Sequence, residues 1–301
     1  MRITDNMVTN NLLAQIQQLT SQQSQLQSEV GSGLAVTQPS DNPAVFGQVV
    51  ELESQNQQQT QFNNNAGQAL DLANASYSGL QSMQSIYDRA SQLGALGGNG
   101  TTDASSQQAY ANELDQLIQQ SVQVGNSQLN GNYLYAGTAD STPPFTTTLN
   151  GSGQIASVSY VGNSAQASIP LSATASVSPA TSGTTNSGIA TWINSMISLR
   201  DALNSGGSSA IAAANASVSS AEDTITGAVA ENGAVQARIQ SVQTQQQSET
   251  TELNTLISND TNADLPTTIV QLNQTQLAYQ AALQSAASIM HISILNYLTL
   301  T

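Results

Sequence analysis

Apolar residues recur at both ends of the chain at alternating spacings of three and four. Leu12, Ile16, Leu19, Gln23, Leu26 and Val30 form the first row, the stripe a helix needs to pack against another helix. Gly31 and Gly33 predict its end. Pro39 lies in an extended connector. Ser40, Asp41 or Asn42 can cap a second helix, with Pro43 in its first turn, where a missing N–H costs nothing. Ala66, Leu70, Ala73, Tyr77, Leu80, Gln84 and Tyr87 continue the rhythm until the Gly-rich stretch from Gly94 to Gly100 breaks it. A third helix is expected from about Gln107, with Leu114, Leu117, Ile118, Val122 and Leu129 on its apolar side, stopping near Asn130-Gly131.

Between Ala139 and Gly188 the period changes to two. Ile155, Val158 and Tyr160 fall in one run and Ala167, Ile169 and Leu171 in the next, with Gly162-Asn163 between them. That pattern predicts a small antiparallel sheet. A short helix around Ile189 to Leu203 carries Trp192, the only tryptophan. Val218, Ala221, Ile225, Ala228, Asn232, Val235, Ile239, Val242, Gln246, Glu249, Leu253 and Leu256 then predict one long seam helix. After a break at Asn259 to Pro266, a last helix carries Ile269, Leu272, Gln276, Tyr279, Leu283, Ala286, Met290, Ser293, Tyr297 and Leu300. Its end is apolar on more than one face, so one partner helix cannot cover it. Both terminal segments are therefore expected to order fully only when several subunits surround them. Gln23, Asn232, Gln246 and Gln276 stand in the seams where leucine would stabilise more. They either fix register and partner number or face water between loosely packed helices.

Charge narrows the partners. Nineteen acidic residues face four basic ones, Arg2, Arg89, Arg200 and Arg238, for a formal charge of −15. Such a chain repels nucleic-acid phosphates and anionic headgroups, so neither nucleic acid nor membrane insertion is expected. Aromatics make up only 4% against 39% hydrophobic residues, so packing must rely on Leu, Ile, Val and Ala. Cysteine is absent, which removes disulfides and thiolate chemistry. No apolar run has the length of a membrane span or the form of a secretory signal.

Catalytic chemistry is hard to assemble from these residues. The only imidazole, His291, sits in the apolar last helix and reads as packing. Glu222-Asp223 and the pair Glu113 and Asp115 read as solvated helix faces rather than acid–base couples. Asp260, Asn262 and Asp264 mimic the first three ligands of a calcium loop, but Leu265 and Pro266 replace its glycine and Gln271 its bidentate glutamate. Gly97-Gly98-Asn99-Gly100 has no preceding strand and no lysine, so it reads as a helix–helix link rather than a phosphate cradle. No enzyme and no cofactor are expected.

Three segments carry a resemblance. The opening MRITDNMVTNNLLAQIQQLTSQQSQLQSEVGSGLAVTQPSDNPAVF resembles the N-terminal region of the flagellin superfamily, with its Ser-Gly turn and Pro-Ser-Asp-Asn-Pro segment. Asn130 to Thr138 followed by Thr142-Pro143-Pro144-Phe145 is similar to the turn of the hook-associated protein 3 family, the hook-filament junction branch. The tail, DLPTTIVQLNQTQLAYQAALQSAASIMHISILNYL, is similar to the C-terminal helix of the superfamily. Relatives commonly carry Lys or Arg after the Ser-Gly turn, where this chain has Leu34-Ala35.

The resemblance implies a mainly α protein with a small β insertion. Its N- and C-terminal helices would form an elongated helical hairpin or coiled-coil bundle, and its central β-rich domain would face outward. Residues 1–39 and 265–301 would be the inner helices, 40–137 and 206–264 a helical stem, and 138–205 the outer domain. Leu12, Ile16, Leu19, Leu26, Ile269, Leu272, Tyr279, Leu283, Met290 and Tyr297 would form the subunit interface. It also implies an extracellular place in the bacterial flagellum after export without a cleavable signal peptide. Its partners would be identical copies in a ring, hook-associated protein 1, flagellin and an export chaperone. A flagellin of the filament itself and a soluble coiled-coil adapter are the competing expectations.

Overall fold

A computed structural model describes residues 5–298, with side chains described at Met7 and from 10 to 288. The elements are α1 (Asp5–Ser32), α2 (Pro43–Gly97), α3 (Ala104–Gly125), β1 (Gln128–Leu129), β2 (Asn132–Tyr133), β3 (Phe145–Leu149), β4 (Ile155–Tyr160), β5 (Ile169–Pro170), β6 (Ser176–Val177), α4 (Gly183–Ser205), α5 (Ser208–Ser219), α6 (Glu222–Thr261) and α7 (Leu265–Leu298). The chain is mainly helical, as the periodicity predicts, with small antiparallel hairpins β1–β2, β3–β4 and β5–β6. Two compact units result: Met1–Gln57 with Thr250–Thr301, and Gln58–Glu249.

In the unit of residues 58–249, local chemistry sets where the elements start and stop. Asp103 caps α3 by accepting from the Ser106 N–H at 2.7 Å, and Ser182 caps α4 from the Thr185 N–H at 3.1 Å. The third helix ends at Gly125, earlier than the sequence suggests. Asn126 there turns its amide onto Phe145. Asn130 and Gly131, with φ of 53° and 87°, instead form the turn of the β1–β2 hairpin, the left-handed pair that such turns require. The long seam helix is likewise interrupted: α5 closes at Ser220, and α6 opens with Glu222 and Asp223 in its first turn, where negative charge favours a helix start.

The expected sheet pairs differently. Strand 155–160 does not fold back on 167–171; β4 pairs with β3, and β5 with β6. Gly162-Asn163 is not a hairpin turn because the Asn163 amide is committed elsewhere. It accepts from the Thr138 N–H at 2.9 Å and donates to Thr138 Oγ1 at 2.7 Å. Gly137, at φ +70°, lies so close that a Cβ would fall 2.3 Å from Asn163 Oδ1.

The main core of this unit gathers Leu80, Met83, Leu114, Ile118, Tyr135, Phe145, Trp192 and Ile193 from α2, α3, the hairpins and α4. A second cluster packs Ala66, Ala69 and Ala73 of α2 with Ile239 of α6 and Leu171 and Val177 beside β5 and β6. Buried polar groups tie these layers together. The Arg200 side chain is 1% exposed and binds Asp115 at 2.8 Å, Asp201 at 2.8 Å and the Ile155 carbonyl at 2.8 Å. Asp115 thus lies in a buried ion pair and not on a solvated face, because its helix turn points at α4. Glu113, by contrast, pairs at the surface with Arg89, and Glu222 accepts from the Tyr87 hydroxyl at 3.0 Å. Asn186 is fully buried, donating to the Tyr135 carbonyl at 2.8 Å. The Tyr135 hydroxyl donates to the Ser76 carbonyl at 2.9 Å, and burial pushes its pKa far up. Of the seam amides, Asn232 and Gln246 are buried, and Gln246 donates to the Leu171 carbonyl at 2.6 Å. In α6 these amides therefore bind structure rather than water.

Candidate assembly interface

In the unit of residues 1–57 and 250–301, α1 packs against α7. On α1 the shielded positions are Leu12, Ile16, Leu19, Gln23 and Leu26, with Leu26 buried. On α7 they are Thr268, Leu272, Thr275, Tyr279, Ala282 and Ala286, spaced four and three, with Gln276 half-buried beside them. The two threonines enter the seam without orphaning their hydroxyls, since Thr268 Oγ1 donates to the Asp264 carbonyl at 3.0 Å and Thr275 Oγ1 to the Gln271 carbonyl at 2.9 Å.

This seam shares Leu272, Gln276, Tyr279 and Ala286 with the row read from the sequence, adds Thr275, and uses Thr268 and Ala282 where the sequence offers Ile269 and Leu283. Small side chains admit the partner helix, and the larger apolar ones turn outward. Ile269 and Leu283 are 45% and 43% exposed, and Val270 and Leu277 reach 55% and 66%. Among the described residues α7 therefore carries two apolar stripes, one against α1 and one uncovered. Met7, Leu13 and Val50 are exposed as well. Of the ten interface residues expected, Leu12, Ile16, Leu19, Leu26, Leu272 and Tyr279 lie in the seam and Ile269 and Leu283 outside it. The side chains of Met290, His291 and Tyr297, at the apolar end of the last helix, lie outside those the structure describes.

The connector between α1 and α2 is built by specific hydrogen bonds. Gly33, at φ +75°, closes α1 by donating to the Glu29 carbonyl at 2.8 Å. Leu34 then bridges Asn262, flanked by Ala35 N–H to the Thr261 carbonyl at 2.7 Å and Ala263 N–H to the Gly33 carbonyl at 2.9 Å. The segment without Lys or Arg is thus held by backbone pairing. Asp41 accepts from the Thr37 and Gln38 N–H groups at 3.0 and 3.1 Å, and the Thr37 bond above all holds its carboxyl below the usual range. Asn42 caps α2 by accepting from the Val45 N–H. A groove of about 880 Å³ runs between this connector and the Ile16, Thr20, Ser24 and Ser28 side of α1. Of the other pseudo-calcium residues, Asp260 lies in the last turn of α6 and Asp264, just before α7, accepts from Thr267 Oγ1 at 2.6 Å.

Comparison with known proteins agrees with this geometry. The family described as the bacterial flagellin N-terminal helical region matches residues 3–140. A chain assigned as a flagellar hook-associated protein from Vibrio parahaemolyticus superposes with a TM-score of 0.66 at 15% identity, covering 74% of this chain and 100% of that one. FlgL from Bacillus cereus gives 0.59 at 17%, covering 69% and 98%, and FlgL from Xanthomonas campestris 0.59 at 15%, covering 67% and 97%. No curated protein matches by sequence. At these identities the superpositions speak for the fold. Residues 3–140 match the family described as the bacterial flagellin N-terminal helical region, and the chain shares its fold with flagellar hook-associated proteins.

Proposed function

We propose that this chain is a structural subunit of the bacterial flagellum and, within it, the hook-filament junction protein that joins the hook side to the flagellin filament. It acts by packing, without catalysis. The observation that carries the reading is the second apolar stripe of α7, with Ile269, Val270, Leu277 and Leu283 exposed beside a seam already filled by α1. Burying such side chains stabilises by roughly 1.5–3 kcal/mol each, so a neighbouring subunit is the economical cover. In this reading residues 1–39 and 265–301 form the inner helices, 40–137 and 206–264 the stem, and 138–205 the outward domain. Identical copies complete a ring between hook-associated protein 1 and flagellin. A chaperone holds the C-terminal residues before export, which delivers the chain to the cell exterior without a cleavable signal peptide.

Deleting the gene tests this directly. Hooks should still form while flagellin escapes unpolymerised into the medium, and full motility after deletion would end the proposal. The matched flagellin region also supports a second reading, a filament subunit. Quantifying the chain in purified flagella separates the two, since a junction protein is scarce and confined to the hook end.

A further inference from the structure

The sequence contains four Asn-Gly pairs, at Asn99, Asn130, Asn150 and Asn232. We infer that Asn99-Gly100, in the link between α2 and α3, is a self-modification site where the chain converts asparagine to aspartate and isoaspartate ahead of the other three. The Gly100 amide nitrogen attacks Asn99 Cγ, the new N–Cγ bond closes a succinimide, and the Cγ–Nδ2 bond breaks as ammonia leaves with the amide proton. Water then opens the ring at either carbonyl, giving aspartate or an isoaspartate whose backbone runs through the side chain. One neutral amide becomes one carboxylate.

Ring closure needs an unshielded nitrogen, a side chain at liberty to swing onto it, and a backbone that can rotate. Asn99 and Gly100 are exposed in a short non-helical segment. The Asn99 amide makes no hydrogen bond within the described residues, and the pair is tied only through the Thr102 N–H to the Asn99 carbonyl at 2.9 Å. No atom stands within 4 Å of where a Gly100 Cβ would be. Each of the other pairs lacks one of these conditions. Asn130 is fixed at φ 53° in a hairpin closed by Leu129 and Asn132. Asn150 Oδ1 accepts from the Ser152 and Gln154 N–H groups at 2.9 and 3.0 Å. Asn232 is buried inside α6 and bound by Gln236 at 2.8 Å.

The test incubates the purified full chain in mildly alkaline buffer, follows each asparagine by peptide mapping, and labels isoaspartate enzymatically. Conversion at Asn99 should run several-fold faster than at Asn130, Asn150 or Asn232, and Gly100→Ala, which the open space accommodates, should slow it several-fold. In concentrated guanidinium the four rates should converge. A lead by Asn130 or Asn150, an unchanged rate in G100A, or the native ranking persisting in the unfolded chain would each overturn the inference.

Discussion

Asn194 on α4 meets Val158 on β4 as a neighbouring strand would, accepting from its N–H at 2.9 Å and donating to its carbonyl at 2.8 Å. Asn126, at the end of α3, treats Phe145 of β3 in the same way, at 3.0 and 2.8 Å. Two helices thus supply one side-chain amide to each outer edge of a two-stranded sheet, which would be marginal alone. Asn194→Leu leaves both Val158 backbone groups unpaired, at a cost of about 1–3 kcal/mol for each buried group. Denaturant unfolding followed through Trp192 fluorescence should shift accordingly. Asn194→Asp keeps the acceptor but not the donor and should lose stability too, so an unchanged midpoint in both variants would deny the clamp its role.

Arg200 offers a second measurable tie, because its buried guanidinium serves α3, α4 and β4 at once. Asp115, 14% exposed, is its shielded partner, and Asp201, 60% exposed, its wet one. Breaking a shielded pair from one side strands a charge, so Asp115→Ala should cost about 3 kcal/mol, whereas Asp201→Ala should cost less than about 1 kcal/mol. Equal losses in equilibrium unfolding would mean that burial does not rank the two contacts.

Glycines separate by the same logic. Gly137 sits at positive φ with Asn163 Oδ1 and the Ala165 carbonyl where a Cβ would go, and Gly137→Ala should destabilise by more than about 2 kcal/mol. Gly233, inside α6 with nothing within 4 Å, should gain about 0.5–1 kcal/mol as alanine. Thermal unfolding of the two variants in opposite directions is the expected result.

What the sequence disclosed follows from how local each signal is. Row spacing located α1, α6 and α7, and Gly31-Gly33 the stop of α1, because those signals lie within one or two turns. Pairing of β4 was hidden, since its partner β3 reads as Phe145 followed by Thr146-Thr147-Thr148, exposed on both faces, and the Asn126 and Asn194 clamps come from distant helices. Asp115 looked solvated because its partner Arg200 is 85 residues away. On α7, the rule that large apolar residues face the paired helix does not hold for Ile269 and Leu283, which are 45% and 43% exposed. The actual seam prefers Thr275 and Ala282, whose small size admits α1, and only the exposure of the larger ones reveals a second face.

Asp41 links pH to the connector between α1 and α2. Its carboxylate accepts from Thr37 and Gln38 more strongly when ionised, and these bonds lower its pKa. A group with a depressed folded pKa contributes stability that is present above its unfolded value and lost as pH falls through the folded one. The window therefore lies below the ordinary aspartate value of 3.8. NMR titration should show the Asp41 carboxyl titrating below that value together with the Thr37 and Gln38 amides. Titration at the ordinary value, with those amides unmoved, would detach the turn from the charge.

Leu26 and Leu277 let folding be told apart from assembly. Leu26 is 6% exposed in the α1–α7 seam, and Leu277 is 66% exposed on the other side of α7. Truncating a buried leucine costs about 2–5 kcal/mol, so Leu26→Ala should raise amide exchange along α1 in the monomer. A leucine already in water contributes almost nothing to the monomer, and Leu277→Glu should leave monomer exchange and melting unchanged. In a flagellum that face would meet a neighbour, and a buried unpaired carboxylate is strongly unfavourable. Leu277→Glu should therefore be exported yet fail to enter flagella in a strain lacking the wild-type chain. Normal incorporation of that variant would show that the uncovered stripe does not contact a neighbour, whatever the fold it belongs to.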